Sequence, residues 1–126
     1  NKALTLTNAA DTYAGAISGS GALNINGGAE TLSGTSNAYS GTATVNNNAT
    51  LYVNGSLGNS TSTVKVDSGA TLAGNGTIGG VVNVADGGTL APGGNNVQPG
   101  TLTVNGDLTL SNGAALSYSL GQAGVP

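Results

Sequence analysis

Two stretches of the chain, 18 residues apart, repeat one short phrase. Thr63-Val64-Lys65-Val66-Asp67-Ser68-Gly69-Ala70-Thr71-Leu72-Ala73 returns as Val81-Val82-Asn83-Val84-Ala85-Asp86-Gly87-Gly88-Thr89-Leu90-Ala91. Val64/Val82, Val66/Val84, Gly69/Gly87, Thr71/Thr89, Leu72/Leu90 and Ala73/Ala91 are identities at that offset. Each copy alternates apolar and polar residues, turns at glycine, and alternates again. A unit so small cannot bury its own apolar side, so it must stack on neighbours of the same kind.

The phrase extends in both directions. The branched residue before each polar turn falls at Leu6, Ile25, Val45, Val66, Val84 and Val104, with gaps of 19, 20, 21, 18 and 20. A second ladder runs through Leu32, Leu51, Leu72, Leu90 and Leu110, with gaps of 19, 21, 18 and 20. Leu116 fits this second ladder as well as Leu110 does, which moves the last coil by six residues and leaves its register open. Two ladders drifting in step point to an all-β, single-stranded parallel β-helix, a β-solenoid of about six coils with about 20 residues each.

Composition supports that architecture. Phe, Trp, Met and Cys are absent and hydrophobic residues make up only 37%, too little bulk for an ordinary globular core of this length. A solenoid interior is a narrow channel that stacked Val, Ile, Leu and Ala can fill. The 23 glycines cluster after strand-like runs, as in Gly27-Gly28, Gly79-Gly80 and Gly87-Gly88, where turns need them. Low-complexity disorder is the competing account of so much Gly, Asn, Ser and Thr. The regular aliphatic ladders count against it.

Taken in order, residues 3–7 give a first strand, Asn8–Thr12 a polar connection, and Tyr13–Ile17 a second strand. Ala22–Asn26, Glu30–Leu32 and residues 49–53 follow, and Ser36–Val45 turns a corner into a third coil. Pro92–Gly100 fits no ladder position, Thr101–Val104 and Asp107–Leu110 resume the strands, and 121–126 reads as a linker or a cut end. The whole of 1–126 then reads as a solenoid segment of a longer chain.

The stretch Ser36-Asn37-Ala38-Tyr39-Ser40-Gly41-Thr42-Ala43-Thr44-Val45-Asn46, with Ala49-Thr50-Leu51-Tyr52-Val53-Asn54-Gly55, resembles the strand repeat of autotransporter passenger domains. Gly87-Gly88-Thr89-Leu90-Ala91-Pro92-Gly93 and Pro99-Gly100-Thr101-Leu102-Thr103-Val104-Asn105-Gly106 are similar to the passenger-associated repeat of that family. The likeness implies a Gram-negative surface protein, at the outer membrane or outside the cell. It implies a right-handed β-helix exported through an outer-membrane barrel. The chain departs from the family pattern in having neither signal peptide nor barrel strands. The barrel is therefore expected elsewhere in the full-length chain.

Few chemistries are open to these residues. The net charge of −3 comes from Lys2 and Lys65 against Asp11, Glu30, Asp67, Asp86 and Asp107. Without Arg or a basic patch, nucleic acid is not an expected partner. No apolar run is long enough for a membrane-spanning helix. Asp67 and Asp86, at nearly equivalent turns one coil apart, are placed to approach each other. A turn role is the simpler account. Lys65 points away from Val64 and Val66, into solvent. With no His and no Arg, no catalytic residue is expected.

Gly74-Asn75-Gly76 and Gly93-Gly94-Asn95 lack the acid of a calcium repeat, and zinc finds no ligands, so neither metal nor cofactor is expected. Tyr13 and Tyr39 share a Tyr-x-Gly context and are expected to play one paired role at a corner. Tyr52 and Tyr118 are expected on an outer face. The functional readings are an adhesive, non-catalytic stalk with homotypic contacts or a surface receptor, a self-assembling filament subunit, and, third, a polysaccharide-active β-helix enzyme.

Overall fold

The computed structural model describes residues 4–6, 9–46, 48–93 and 101–116. The first coil carries β1 (Leu4–Leu6) and β2 (Ala9–Tyr13), and the second β3 (Leu23–Ile25), β4 (Gly28–Leu32) and β5 (Thr35–Ser36). The third carries β6 (Thr42–Val45), β7 (Thr50–Val53) and β8 (Ser56–Leu57). In the fourth are β9 (Thr63–Val66), β10 (Thr71–Gly74) and β11 (Thr77–Ile78). Then come β12 (Val81–Val84), β13 (Thr89–Pro92) and β14 (Thr103–Val104), and finally β15 (Leu108–Leu110) and β16 (Ala115–Leu116). The described residues contain no helix, so none that is long and apolar enough to cross a membrane.

Among the described residues every strand pair is parallel. One six-stranded sheet runs β1-β3-β6-β9-β12-β15, a second β2-β4-β7-β10-β13-β16, and a four-stranded third β5-β8-β11-β14. Parallel neighbours require a full circuit of chain between them, and here the circuit is made by the other two sheets. The three sheets therefore wrap one channel.

Alternation decides what enters it. In β6, β7, β9 and β12 every second residue is buried, as the two-residue period of a strand dictates. Ile25, Val45, Val66 and Val84 stack in one inner column, flanked by a column of Leu23, Ala43, Val64 and Val82. All eight are at most 2% exposed. The ladder expected from Ile25 to Val84 is therefore real, and Leu6 is its register partner in the first coil.

The second ladder needs one correction at its start. Leu51, Leu72 and Leu90 pair as expected, but Leu32 lies beside Val53, and Glu30 takes the place beside Leu51. Glu30 is 6% exposed. It lines, with Leu23, Ile25, Leu32 and Ile17, an apolar cavity of about 300 Å³ in the second coil. Matching by side-chain type picks Leu32 for Leu51, whereas backbone pairing shifts the match by two residues.

The first coil also differs from expectation. Ala9–Tyr13 is a strand paired in register with Gly28–Leu32, where a polar connection was expected, and Ala14–Ile17 is not a strand. Only backbone register is described for residues 9–11.

The last coil settles the open register. Leu110 lies beside Val84 and Leu116 beside Leu90, while Val104 joins the third sheet beside Ile78. Val104 and Leu110 therefore leave the ladders first assigned to them, and the six-residue shift is the correct choice. The cause is length. Successive steps along the first sheet are 19, 20, 21, 18 and 26 residues. The long final step includes residues 93–102, between β13 and β14. β14 then adds to the third sheet before β15 resumes the first. Residues 94–100 and 117–126, which hold most of the expected loop, Tyr118 and the tail, lie outside the described residues.

The corners are crowded. A methyl group at Gly34, Gly55 or Gly76 would run into the carbonyl oxygen of the glycine one coil below, Gly15, Gly34 and Gly55 respectively. Stacked glycines let the backbones of successive coils come together there.

Tyr13 and Tyr39 do not share a role. Tyr13 ends β2 and is 46% exposed, whereas Tyr39 is 2% exposed and its hydroxyl donates to the carbonyl of Gly21 at 2.9 Å. Burial raises the Tyr39 phenol above its ordinary 10.0, with a smaller opposing effect from a backbone hydrogen bond at Leu23. Stability from the neutral phenol is fully present below that ordinary value and lost as pH rises through the raised native one. Melting temperatures followed up to about pH 11 should fall along an alkaline limb that Tyr39→Phe flattens. The same variant should lose about 1 kcal/mol at neutral pH, with the hydrogen bond. An unchanged limb would place the buried phenol elsewhere.

Candidate interaction surface

The residues that alternate with the core point outward and form their own columns. On the first sheet Asn24, Thr44, Lys65, Asn83 and Thr109 succeed one another. On the second, Thr50, Thr71 and Thr89 do so, with Thr31 and Tyr52 alongside, while Ala73, next in that row, is buried. The third sheet adds Thr35, Ser56, Thr77 and Thr103. Most of these side chains are neutral donors and acceptors, repeated at the inter-strand spacing of about 4.8 Å. Lys65 is exposed, as its position between Val64 and Val66 requires. Tyr52 faces outward with its phenol partly covered, and that burial raises its pKa.

Asp67 and Asp86 are not brought face to face. Because Val66 pairs with Val84, Asp67 falls beside Ala85 and Asp86 beside Ser68, a stagger of one residue. Asp67 stays within its own turn, whereas Asp86 reaches the corner of the next coil. The carbonyl of Asp67 accepts the amide of Ala70 at 3.0 Å, and Asp86 Oδ1 accepts the amide of Gly113 at 2.9 Å. Among the described residues no group of three or more His, Cys, Asp or Glu is placed to hold a metal ion.

The turn at Asp67 belongs to a series. Amide-to-carbonyl bonds from Ala49 to Asn46, Ala70 to Asp67, Gly88 to Ala85 and Ala114 to Ser111 close the same corner on four successive coils. Asn48 has a φ of 65° where Gly69 and Gly87 have 84° and 83°. Asparagine tolerates that left-handed conformation better than most residues.

Two further features escaped the sequence reading. Leu108, Leu110 and Leu116, on the last described coil, are 44%, 41% and 49% exposed although they stand in core columns. A polar notch of about 450 Å³ opens at the corner that follows the third sheet, lined among others by Asn37, Asn59 and Asn105. The signal for the notch was present in the 18-residue spacing, which shortens one corner relative to its neighbours.

No protein-family profile and no solved structure matches the chain. Over 118 residues the chain is 44% identical to a protein of Brucella suis biovar 1 (strain 1330) described as "Adhesin BmaC autotransporter". The match covers 94% of this chain and 3% of that protein, so the chain spans a small part of the curated relative's length. The parallel ladders, the corner turns and this similarity agree with one another. The chain is a parallel β-solenoid segment, similar over most of its length to a short stretch of that adhesin.

Proposed function

We propose that the segment is a non-catalytic, adhesive part of a β-helical stalk, carried at the surface of a Gram-negative cell or released outside it. The observation that carries this reading is the outward array itself, in which neutral side chains repeat from coil to coil along parallel sheets. The adhesin name of the related Brucella protein supports it. Six coils at about 4.8 Å span only about 30 Å, so reach from the cell requires further coils or end-to-end stacking.

Contacts between two such surfaces are made by many neutral hydrogen bonds, part of them through water, each worth little alone. Repetition makes them add, because a second contact forms within an already tethered pair. Homotypic association, or docking on a surface receptor of similar chemistry, follows. Clumping of cells that display the segment should persist from low salt to about 0.5 M, where the screening length falls to a few ångströms. Loss of clumping over that range would make the sparse charges the adhesive groups and end this reading.

One observation favours a second reading, a self-assembling filament. The exposed Leu108, Leu110 and Leu116 offer an apolar end to another coil. Sedimentation of the isolated segment separates the two. Growth into long, concentration-dependent particles supports the filament, and a compact monomer that still clumps cells supports the lateral contact.

A further inference from the structure

The links that leave the third sheet differ in length from coil to coil. Five residues (37–41) join β5 to β6 and five (58–62) join β8 to β9, but only two (79–80) join β11 to β12 and three (105–107) join β14 to β15. A two-residue link must cut straight across the corner, while the five-residue links bow outward. Gly79-Gly80 supplies that short cut. A side chain at Gly79 would meet the carbonyl of Gly58, and one at Gly80 the carbonyl of Ser62. The recess left above the short link, between its longer neighbours, is the notch of about 450 Å³.

Its lining is chemically narrow. Gly58, which is buried, and Gly79, which is half-buried, keep the floor of the recess free of their own side chains. Carboxamides stand around it on different coils, from Asn37, Asn59 and Asn105, and the Thr77 hydroxyl lies between them. Asn59 commits its carboxamide oxygen to the amide and hydroxyl of Thr61, at 2.9 and 2.7 Å, which fixes the group and leaves its two Nδ2 protons for a ligand. Asn37 and Asn105 are exposed, and no charged side chain is among the lining residues described. From Asn37 to Asn105 the array crosses three coil steps, about 14 Å along the solenoid.

We infer that this corner notch binds a neutral oligosaccharide. A carboxamide offers both a donor and an acceptor, which suits hydroxyl groups that do the same. A phosphate, sulfate or carboxylate ligand would call for Lys or Arg, and the lining holds neither. The two glycines leave room for a sugar ring, where a larger side chain would stand in the way. Several coils contribute, so an extended chain of sugars fits better than a single ring. A shallow, open and neutral site of this kind binds with a Kd of about 1 mM per oligosaccharide. This inference is independent of the homotypic contact proposed above, which uses the faces of the sheets rather than a corner.

The test is an amide-resolved NMR titration of the segment with maltotetraose, cellotetraose, chitotetraose and mannotetraose, and with a sulfated oligosaccharide as the charged comparison. At least one neutral probe should shift the amides of Asn37, Gly58, Asn59, Gly79 and Asn105 together, with one saturating curve. The double variant Asn37→Ala/Asn105→Ala, at two exposed positions, should weaken that curve at least tenfold. Thr77→Tyr, outward on β11, should abolish it by filling the recess while amides of the first sheet keep their wild-type positions. Four neutral probes without effect, shifts scattered over the sheet faces, a response to the sulfated probe alone, or equal titration of the double variant would each overturn the assignment.

Discussion

Val66→Asp should unfold the middle of the solenoid, while Lys65→Ala, one residue away, should pass almost unnoticed. Val66 is 0% exposed and stacks between Val45 and Val84 in the first sheet. A carboxylate there is surrounded by aliphatic side chains from its own coil and both neighbours, with no cation among the described residues of the channel. An uncompensated buried charge costs about 3–5 kcal/mol. In a solenoid each coil is held by its two neighbours, so loss of one coil withdraws support from both. Lys65 lies exposed on the opposite side of the same strand, and its truncation should change stability by less than about 0.5 kcal/mol. Denaturant melts of the two variants check the order. A reversed ranking would mean that the inner and outer columns of the first sheet have been exchanged.

The second large effect is expected from a single methyl group. Gly→Ala substitutions commonly stabilise a protein by about 0.4–1 kcal/mol when the backbone permits them. Gly55→Ala should do the reverse, at a cost of about 2–3 kcal/mol. The added carbon would meet the carbonyl oxygen of Gly34. That oxygen cannot retreat, because the next residues pair β5 with β8, Thr35 beside Ser56 and Ser36 beside Leu57. Relief requires the two coils to separate. Gly19 is the control. Its φ is 96°, and a Cβ there would meet nothing within 4 Å. Gly19→Ala should therefore cost only the left-handed strain of about 1–2 kcal/mol, without separating any coils. Thermal melts distinguish the two, since Gly55→Ala should also broaden the transition by loosening one coil interface. Two equally mild variants would mean that the corners are less tightly stacked than described.

The first sheet was readable because its signal is redundant. Ile25, Val45, Val66 and Val84 each carry an alternating partner two residues earlier, so a slip of one residue would bury Asn24, Thr44, Lys65 and Asn83 instead. The second sheet was readable only where Leu met Leu. At its start the inward positions hold Glu30 and Leu32 against Leu51 and Val53, and hydrophobicity alone prefers the wrong match. The third sheet escaped detection because its strands are two residues long, too short for alternation to register. Its inner residues Leu57 and Ile78 belong to neither of the two ladders read from the sequence. Outward columns followed from the inward ones at no further cost. The notch did not, because a recess is a difference between neighbouring corners, and no single coil carries it.

One consequence follows from the unequal steps along the ladders. From Leu72 to Leu90 the chain takes 18 residues, and from Leu90 to Leu116 it takes 26. Both circuits return to the same column with parallel pairing intact. Eight residues can therefore enter or leave one corner without cost to the register of the strands on either side. A gene for such a protein can gain, lose or exchange corner segments one at a time, by ordinary insertion and deletion, while its scaffold persists. Lineages under pressure to change their exposed face would diverge first in the links after β11 and β13 and last in the inner columns. The same tolerance makes the link between Gly93 and Thr101 a natural place to graft a foreign peptide for display.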